Sequence, residues 1–174
     1  MLRWLWLTAA VLLVDYLTKG WAESTLREGA IGLLPFLDLR LAYNTGAAFS
    51  LLADAGGWQR WLFATLAIGV AVALVVWLAR LPRGEHRLGA ALALIIGGAV
   101  GNLVDRLSLG HVVDFIDVHA AGWHWPAFNI ADSAITIGAA LLLWDAFRPG
   151  RGQPRDQSQD RGGPSTPGKP GGLS

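Results

Sequence analysis

Residues 61–79 run without a single ionisable side chain and are flanked by Arg60 and Arg80. A bilayer span needs about 20 mostly apolar residues, and this run meets that requirement alone. In hydrocarbon every backbone N–H and C=O must be satisfied within the segment, so the run folds as a helix. Three further apolar segments, 4–18, 88–104 and 130–147, are shorter and reach spanning length only if their polar ends sit at the interface. Composition agrees: 53% of the residues are hydrophobic and 16% charged, against roughly 25% charged in a soluble domain. Many of the nine Trp lie near the ends of apolar runs, where interfacial belts form. The net charge of +1 gives nucleic acid nothing to bind, and the absence of cysteine excludes disulfides, thiol nucleophiles, Cys metal sites and lipidation of the chain itself.

Arg3 ahead of an apolar core also resembles a signal peptide, but Asp15, Tyr16 and Lys19 occupy the place of a small-residue cleavage site, so the segment is expected to stay. Four spans put the termini on one side. That side holds nine Lys and Arg (Arg3, Arg80, Arg83, Arg87 and the five beyond residue 147) against five on the other. The termini are then cytoplasmic and the longer loops face outward. Residues 33–43 alternate apolar and polar over their second half and read as strand, and 111–118 is rich in β-branched residues. A small sheet lying on the outer membrane face is expected. From Pro149 on, the chain is Gly, Pro, Arg, Gln, Asp and Ser without apolar periodicity. The expected division is a membrane domain over 1–148 and a disordered cytoplasmic tail over 149–174.

The polar residues fall in short groups. Asp15 and Lys19 are four apart and share a helix face; an interfacial ion pair or a snorkelling lysine fits that spacing. Asn102, Asp105 and Arg106 share a face at the outer end of the third helix, as would a helix-end cluster that satisfies itself. Gly97 and Gly101 just before them form a small-xxx-small pattern suited to close helix packing. Asn44-Thr45-Gly46 is turn chemistry, and a plain loop reads equally well there. The stretch 53–57, with its paired glycines, could hinge.

Asp114 and Asp132 stand in Val-Val-Asp-Phe and Phe-Asn-Ile-Ala-Asp, between the last two apolar segments. A carboxylate at a bilayer edge costs several kcal/mol unless paired or facing water, which makes it a functional candidate. In a strand Val112, Asp114 and Ile116 share one face and Asp117 points the other way, toward solvent or a salt bridge. Asp132, three residues after Asn129, also suits a helix N-cap. If Asp114 and Asp132 converge, repulsion raises one pKa and the two share a proton. The ionised member then takes a proton from water while the protonated one polarises a scissile carbonyl. That is aspartic peptidase chemistry, with neither metal nor cofactor. No His-Glu-x-x-His helix exists, His111, His119 and His124 lack a metal-ligand pattern, and Ser50, Ser108 and Ser133 lack a nucleophile-elbow setting. Ser-Lys catalysis would have to recruit Lys19, one turn from Asp15.

Taken in order, Asp15 with Lys19, Asn44-Thr45-Gly46-Ala47-Ala48-Phe49, Gly98 to Arg106 with its Asn102 and Asp105, Val113-Asp114-Phe115, and Phe128-Asn129-Ile130-Ala131-Asp132 resemble bacterial lipoprotein signal peptidase. The resemblance implies a membrane all-α fold with a small β component: a four-transmembrane-helix bundle with an outward-facing β-cradle in the inner membrane. It implies Asp114 and Asp132 as the catalytic dyad. Asp15, Lys19, Asn44, Asn102, Arg106 and Asn129 would line and support the site, and Asp105 would brace it through Arg106. The implied substrate is a prolipoprotein with a diacylglyceryl-modified cysteine, cut just before that cysteine, by a monomer among membrane lipids. Against this stand an ion-coupled transporter, since intramembrane charges also mark ion pathways, and a membrane scaffold whose carboxylates merely cap helices. The gathering of the charges at one membrane face argues against a transporter.

Overall fold

The structure, a computed structural model, describes residues 1–46 and 57–147. Four helices carry it: α1 (Leu5–Thr25), α2 (Trp58–Arg80), α3 (His86–Ser108) and α4 (Ile130–Ala146). The expected 149–174 tail and residues 53–56 of the expected hinge lie outside the described residues. The first helix runs seven residues beyond the apolar segment that announces it, because Lys19 and Ala22 continue the buried stripe of Thr8, Val11 and Asp15 at helical spacing. Its polar end is thus core.

α3 packs against each of the other three helices, and α2 packs chiefly against α3. The close approach follows from small residues on α3. A methyl at Gly97 would come within 2.8 Å of Val11 Cβ on α1, and one at Gly98 would overlap the Ala131 carbonyl of α4. Glycine lets the two backbones meet there. The expected packing role of Gly97 therefore holds, with Gly98 as its partner toward α4. Leu78, Leu81, Leu88, Leu92 and Ile96 form a core where α2 turns into α3.

Outside that core the helices are apolar and exposed. Trp6, Leu13, Leu17, Trp61, Leu66, Val72, Leu143 and Trp144 all present large hydrophobic side chains outward, far more than a soluble monomer leaves in one belt. α2 and α3, both of 23 residues, are long and apolar enough to span a bilayer. α1 carries Asp15, Lys19 and Glu23, and α4 has 17 residues, so neither passes on length and composition alone.

The segments between helices build an antiparallel sheet in the order β1 (Ile31–Leu34), β2 (Leu37–Asn44), β3 (Val112–Ala120), β4 (Trp123–His124). The single strand expected over 33–43 is instead two. The chain turns at Pro35 and Phe36, and a proline there cannot donate to a ladder. The sheet is fastened to α1 through Phe115, which packs with Ala22 and Leu26. All four helix ends that flank the sheet, the C-termini of α1 and α3 and the N-termini of α2 and α4, join it by short or intermediate segments. The polar groups of all five motifs therefore gather at one end of the bundle.

Candidate active site

Asp114 lies in β3 opposite Ala42 of β2, and Asp132 lies in the first turn of α4. Both line one cavity of about 780 Å³, walled by the sheet on one side and by Ile135, Thr136 and Ile137 of α4 on the other. Asn129 ties the two together. Its side-chain Nδ2 donates to Asp114 Oδ1 at 2.7 Å, and its backbone N–H donates to Asp132 Oδ2 at 3.3 Å. The N-cap of α4 is Asn129, not Asp132: Asn129 Oδ1 accepts the Asp132 N–H at 2.9 Å, and Asp132 completes the capping box. Asn129 is fully buried, so its amide has one orientation in which every polar atom is used.

The surroundings of the two carboxyls differ. Asp132 Oδ1 accepts from Asn102 Nδ2 at 2.7 Å, so both its oxygens are occupied by N–H donors. The N-terminal turn of α4 adds its dipole. Asp114 is only 2% exposed. Burial first, then the charge of Asp132, push its carboxyl up to about 7, against the pull of hydrogen bonds from Asn44 and Asn129 and of the Lys19 charge. Asn44 is itself oriented by accepting the Gly46 N–H at 3.0 Å, the turn expected of Asn-Thr-Gly.

Behind the cavity, Lys19 Nζ is 2.7 Å from Asp15 Oδ2 and 2.8 Å from Asp105 Oδ2, and it donates to Asn102 Oδ1 at 3.1 Å. Lys19 is buried, so it does not snorkel. Asp15 Oδ1 accepts the Ala131 N–H at 2.9 Å, fixing α4 against α1, and Gly101 leaves the space its carboxylate fills. Asp105 departs from expectation. It meets Lys19 and the Val113 N–H (3.1 Å), so it braces the site through the ammonium and β3. Arg106 is used elsewhere, with Nη2 donating to Gly46 O at 3.0 Å and its guanidinium 5.5 Å from the Phe63 ring centre.

Asp117 turns away from Asp114 as expected, and of the two settings expected for it the structure gives the salt bridge: it is 1% exposed and pairs with Arg40. Burial pushes its carboxyl up, yet the hydrogen bonds from His124 and Arg40 outweigh that and hold it below the ordinary carboxylate value. Its partners, Arg40 Nε at 2.9 Å and His124 Nδ1 at 2.9 Å, are both half-exposed. Arg40 lies in the strand expected over 33–43 and belongs to none of the five motifs. The signal that could have found it is its spacing: Arg40, Ala42 and Asn44 alternate along β2 and all line the cavity.

The Signal peptidase (SPase) II family model matches residues 7–148 of the chain. The chain belongs to the signal peptidase II family. The lipoprotein signal peptidase of Pseudomonas aeruginosa (strain UCBPP-PA14) is 56% identical over 150 residues, covering 84% of this chain and 89% of that protein. The lipoprotein signal peptidase of Shewanella baltica (strain OS155 / ATCC BAA-1091) is 53% identical over 154 residues, covering 87% and 90%. A bacterial membrane enzyme solved by the in meso method at 2.3 Å resolution superposes with a TM-score of 0.74 at 30% identity, covering 88% of this chain and 94% of that one. As a signal peptidase II the chain is a membrane aspartic endopeptidase, mostly helical with a small antiparallel sheet.

Proposed function

We propose that the chain removes the signal peptide from prolipoproteins whose cysteine carries a diacylglyceryl group, cutting immediately before that cysteine, with Asp114 and Asp132 sharing one proton. The observation that carries this is Asn129, which donates to both carboxyls across one cavity. Asp132, with two N–H donors on its oxygens and the α4 dipole behind it, acts as the ionised base. Asp114, raised to about 7, holds the proton below that pH.

In this mechanism Asp132 takes a proton from a water molecule as its oxygen attacks the scissile carbonyl. Asp114 donates its hydrogen bond to the carbonyl oxygen, where negative charge develops. Collapse of the tetrahedral intermediate breaks the C–N bond, and the proton held by Asp132 passes to the leaving amine. One water is consumed and the dyad is restored. Asn44, Asn102, Arg106 and Asn129 line the reacting carboxyls and hold them, while Asp15, Lys19 and Asp105 anchor that frame from behind. Every side chain in this scheme comes from one chain, so a monomer suffices.

Placement in the membrane supports the substrate. Four spans with cytoplasmic termini, as the Lys and Arg distribution implies, put the sheet, as an outward-facing cradle, and the cavity at the outer leaflet of the inner membrane. A diacylglyceryl cysteine is held at that depth by its chains. The signal's apolar segment would lie along α4, and polar helix ends bring in the water that hydrolysis needs.

The test is cleavage of a synthetic diacylglyceryl-modified precursor by purified enzyme, with the unlipidated peptide as control. The lipidated precursor should be cut before its cysteine and the control left nearly intact. Equal cleavage of both would overturn the lipid requirement. Absence of cleavage, with ion flux in proteoliposomes instead, would favour a transporter.

A further inference from the structure

The cavity has two walls of different character. Ile135, Thr136 and Ile137 form a helix wall suited to an apolar signal segment, and Arg40, Ala42 and Asn44 form a sheet wall. A polypeptide cut beside Asp114 must leave toward water, over the sheet. Ala42 stands opposite Asp114 in the ladder, and Arg40 is two residues further along β2. At about 3.3 Å per residue that is about 7 Å, a distance an extended peptide covers in two residues.

Arg40 is placed there with unusual care. It falls in the stretch between Leu39 and Ala42 where the β2–β3 register shifts, and such irregularities re-aim a side chain. Its Nε donates to Asp117, which is buried and held from its other side by His124. His124 stacks on His119 at 5.0 Å, and His119 Nε2 lies 3.2 Å from Asp38. This row of side chains fixes a guanidinium that remains half-exposed in the cavity wall. Arg106, the other guanidinium lining the cavity, is taken up by the Gly46 and Asn102 carbonyls. A pre-oriented guanidinium is built for a carboxylate, which it can grip through two parallel N–H donors.

We propose that Arg40 is a specificity-determining residue that binds an acidic side chain within the first three residues of the chain released by the cut. This rests on the peptidase reading above and names a further subsite for the same substrate. Its role is positioning: it touches the departing polypeptide and not the scissile bond.

The test uses full-length enzyme and three lipidated precursors that differ only in carrying Asp, Asn or Lys at both of the two residues after the modified cysteine. Wild type should show a KM for the Asp precursor about three- to fivefold below that for the Lys precursor, the scale of a half-exposed ion pair. Arg40→Gln, which keeps a donor for Asp117, should erase that ratio, and Arg40→Glu should reverse it, in each case through KM rather than kcat. Thermal unfolding of each variant separates a lost contact from a lost fold. Equal KM values for all three precursors with wild type would sink the Arg40 assignment while leaving the peptidase reading intact. So would a charge preference that follows the phosphatidylglycerol content of the assay bilayer instead of the peptide, since Arg40 would then be serving a lipid headgroup. Failure of wild type to cut any of the three overturns the peptidase reading itself.

Discussion

Asp15 and Asp105 grip one ammonium between them, Lys19, at 2.7 and 2.8 Å. Among the described residues Asp114 and Asp132 meet amides, and the amide of Asn102 stands between Lys19 and Asp132. Both pairs are carboxylates at the same end of the helices. In the first pair the ammonium sits between the two charges, Asp15 Oδ1 takes the Ala131 N–H of α4, and Asp105 Oδ2 takes the Val113 N–H of β3 beside Lys19. In the second pair no cation among the described residues makes contact, and on the proposed reading a shared proton does what Lys19 does for the other. On that reading the difference separates a brace from a reaction centre. It also shows how one serves the other. Lys19 can only donate, so the Asn102 oxygen must face it and the Asn102 NH2 must face Asp132.

The sharpest way to break the comparison is to neutralise each pair in turn. Asp114→Asn and Asp132→Asn should each lower kcat by about a thousandfold or more, the upper range for losing a positioned acid or base, while the protein still inserts. Asp105→Asn should cost less than about tenfold in kcat and show itself mainly as a lower melting temperature. If Asp105→Asn were as inactive as Asp114→Asn with an unchanged melt, the brace would belong to the chemistry and the distinction would fail.

Lys19→Ala removes the ammonium and leaves two buried carboxylates facing each other. Breaking a buried pair in this way costs about 3–5 kcal/mol, read as a large fall in melting temperature. Turnover of the fraction still folded should drop about tenfold, because the Asn102 amide is no longer held in the orientation that donates to Asp132. Adding Asp105→Asn to Lys19→Ala should recover part of the stability. Full activity in Lys19→Ala would mean that Asn102 is oriented by Asn129 alone, which reaches the same oxygen at 3.2 Å.

Much of this was legible in the sequence, and the part that was not has a common cause. Three of the five polar motifs announce the site by placing their residues on one face through local spacing: Asp15 with Lys19, Asn102 with Arg106, Asn129 with Asp132. The helices announce themselves by apolar length, and the β3 alternation correctly turns Asp117 away from Asp114. What local spacing does not carry is the partner across the fold. Asp105 looked toward its neighbour Arg106, whereas its contact is Lys19 on another helix. For Asp117 the alternation gives the direction, outward to solvent or a salt bridge, but not the partners, Arg40 from β2 and His124 from β4. The Asp105 and Asp117 pairings exist only once the sheet closes and the helices pack, whereas the capping box of Asn129 and Asp132 is local and its spacing already suits it.

The proton assigned to Asp114 leaves two signatures in pH. Activity should fall as pH rises through about 7, because a carboxyl raised to that value then ionises and both members of the dyad become bases. A kcat/KM profile on the lipidated precursor reads this limb; a profile flat from pH 6 to 9 would remove the proton from Asp114. The smaller signature lies in stability. An Asp with a raised folded-state pKa binds more protons folded than unfolded between about 4 and 7, so the native state loses stability as pH rises across that window and regains nothing above it. Asn at position 114 cannot ionise and still accepts the Asn129 amide. Asp114→Asn should therefore melt close to wild type at pH 4 and above it at pH 8, by a few kcal/mol, which is about 2–4 °C for each kcal/mol in a chain of this size. The same substitution at Asp15 should weaken the protein, since it gives up the charge that faces the buried Lys19 at 2.7 Å. A dyad carboxyl that makes the protein more stable when removed, beside a braced one that makes it weaker, is what a site that holds an uncompensated charge for chemistry predicts.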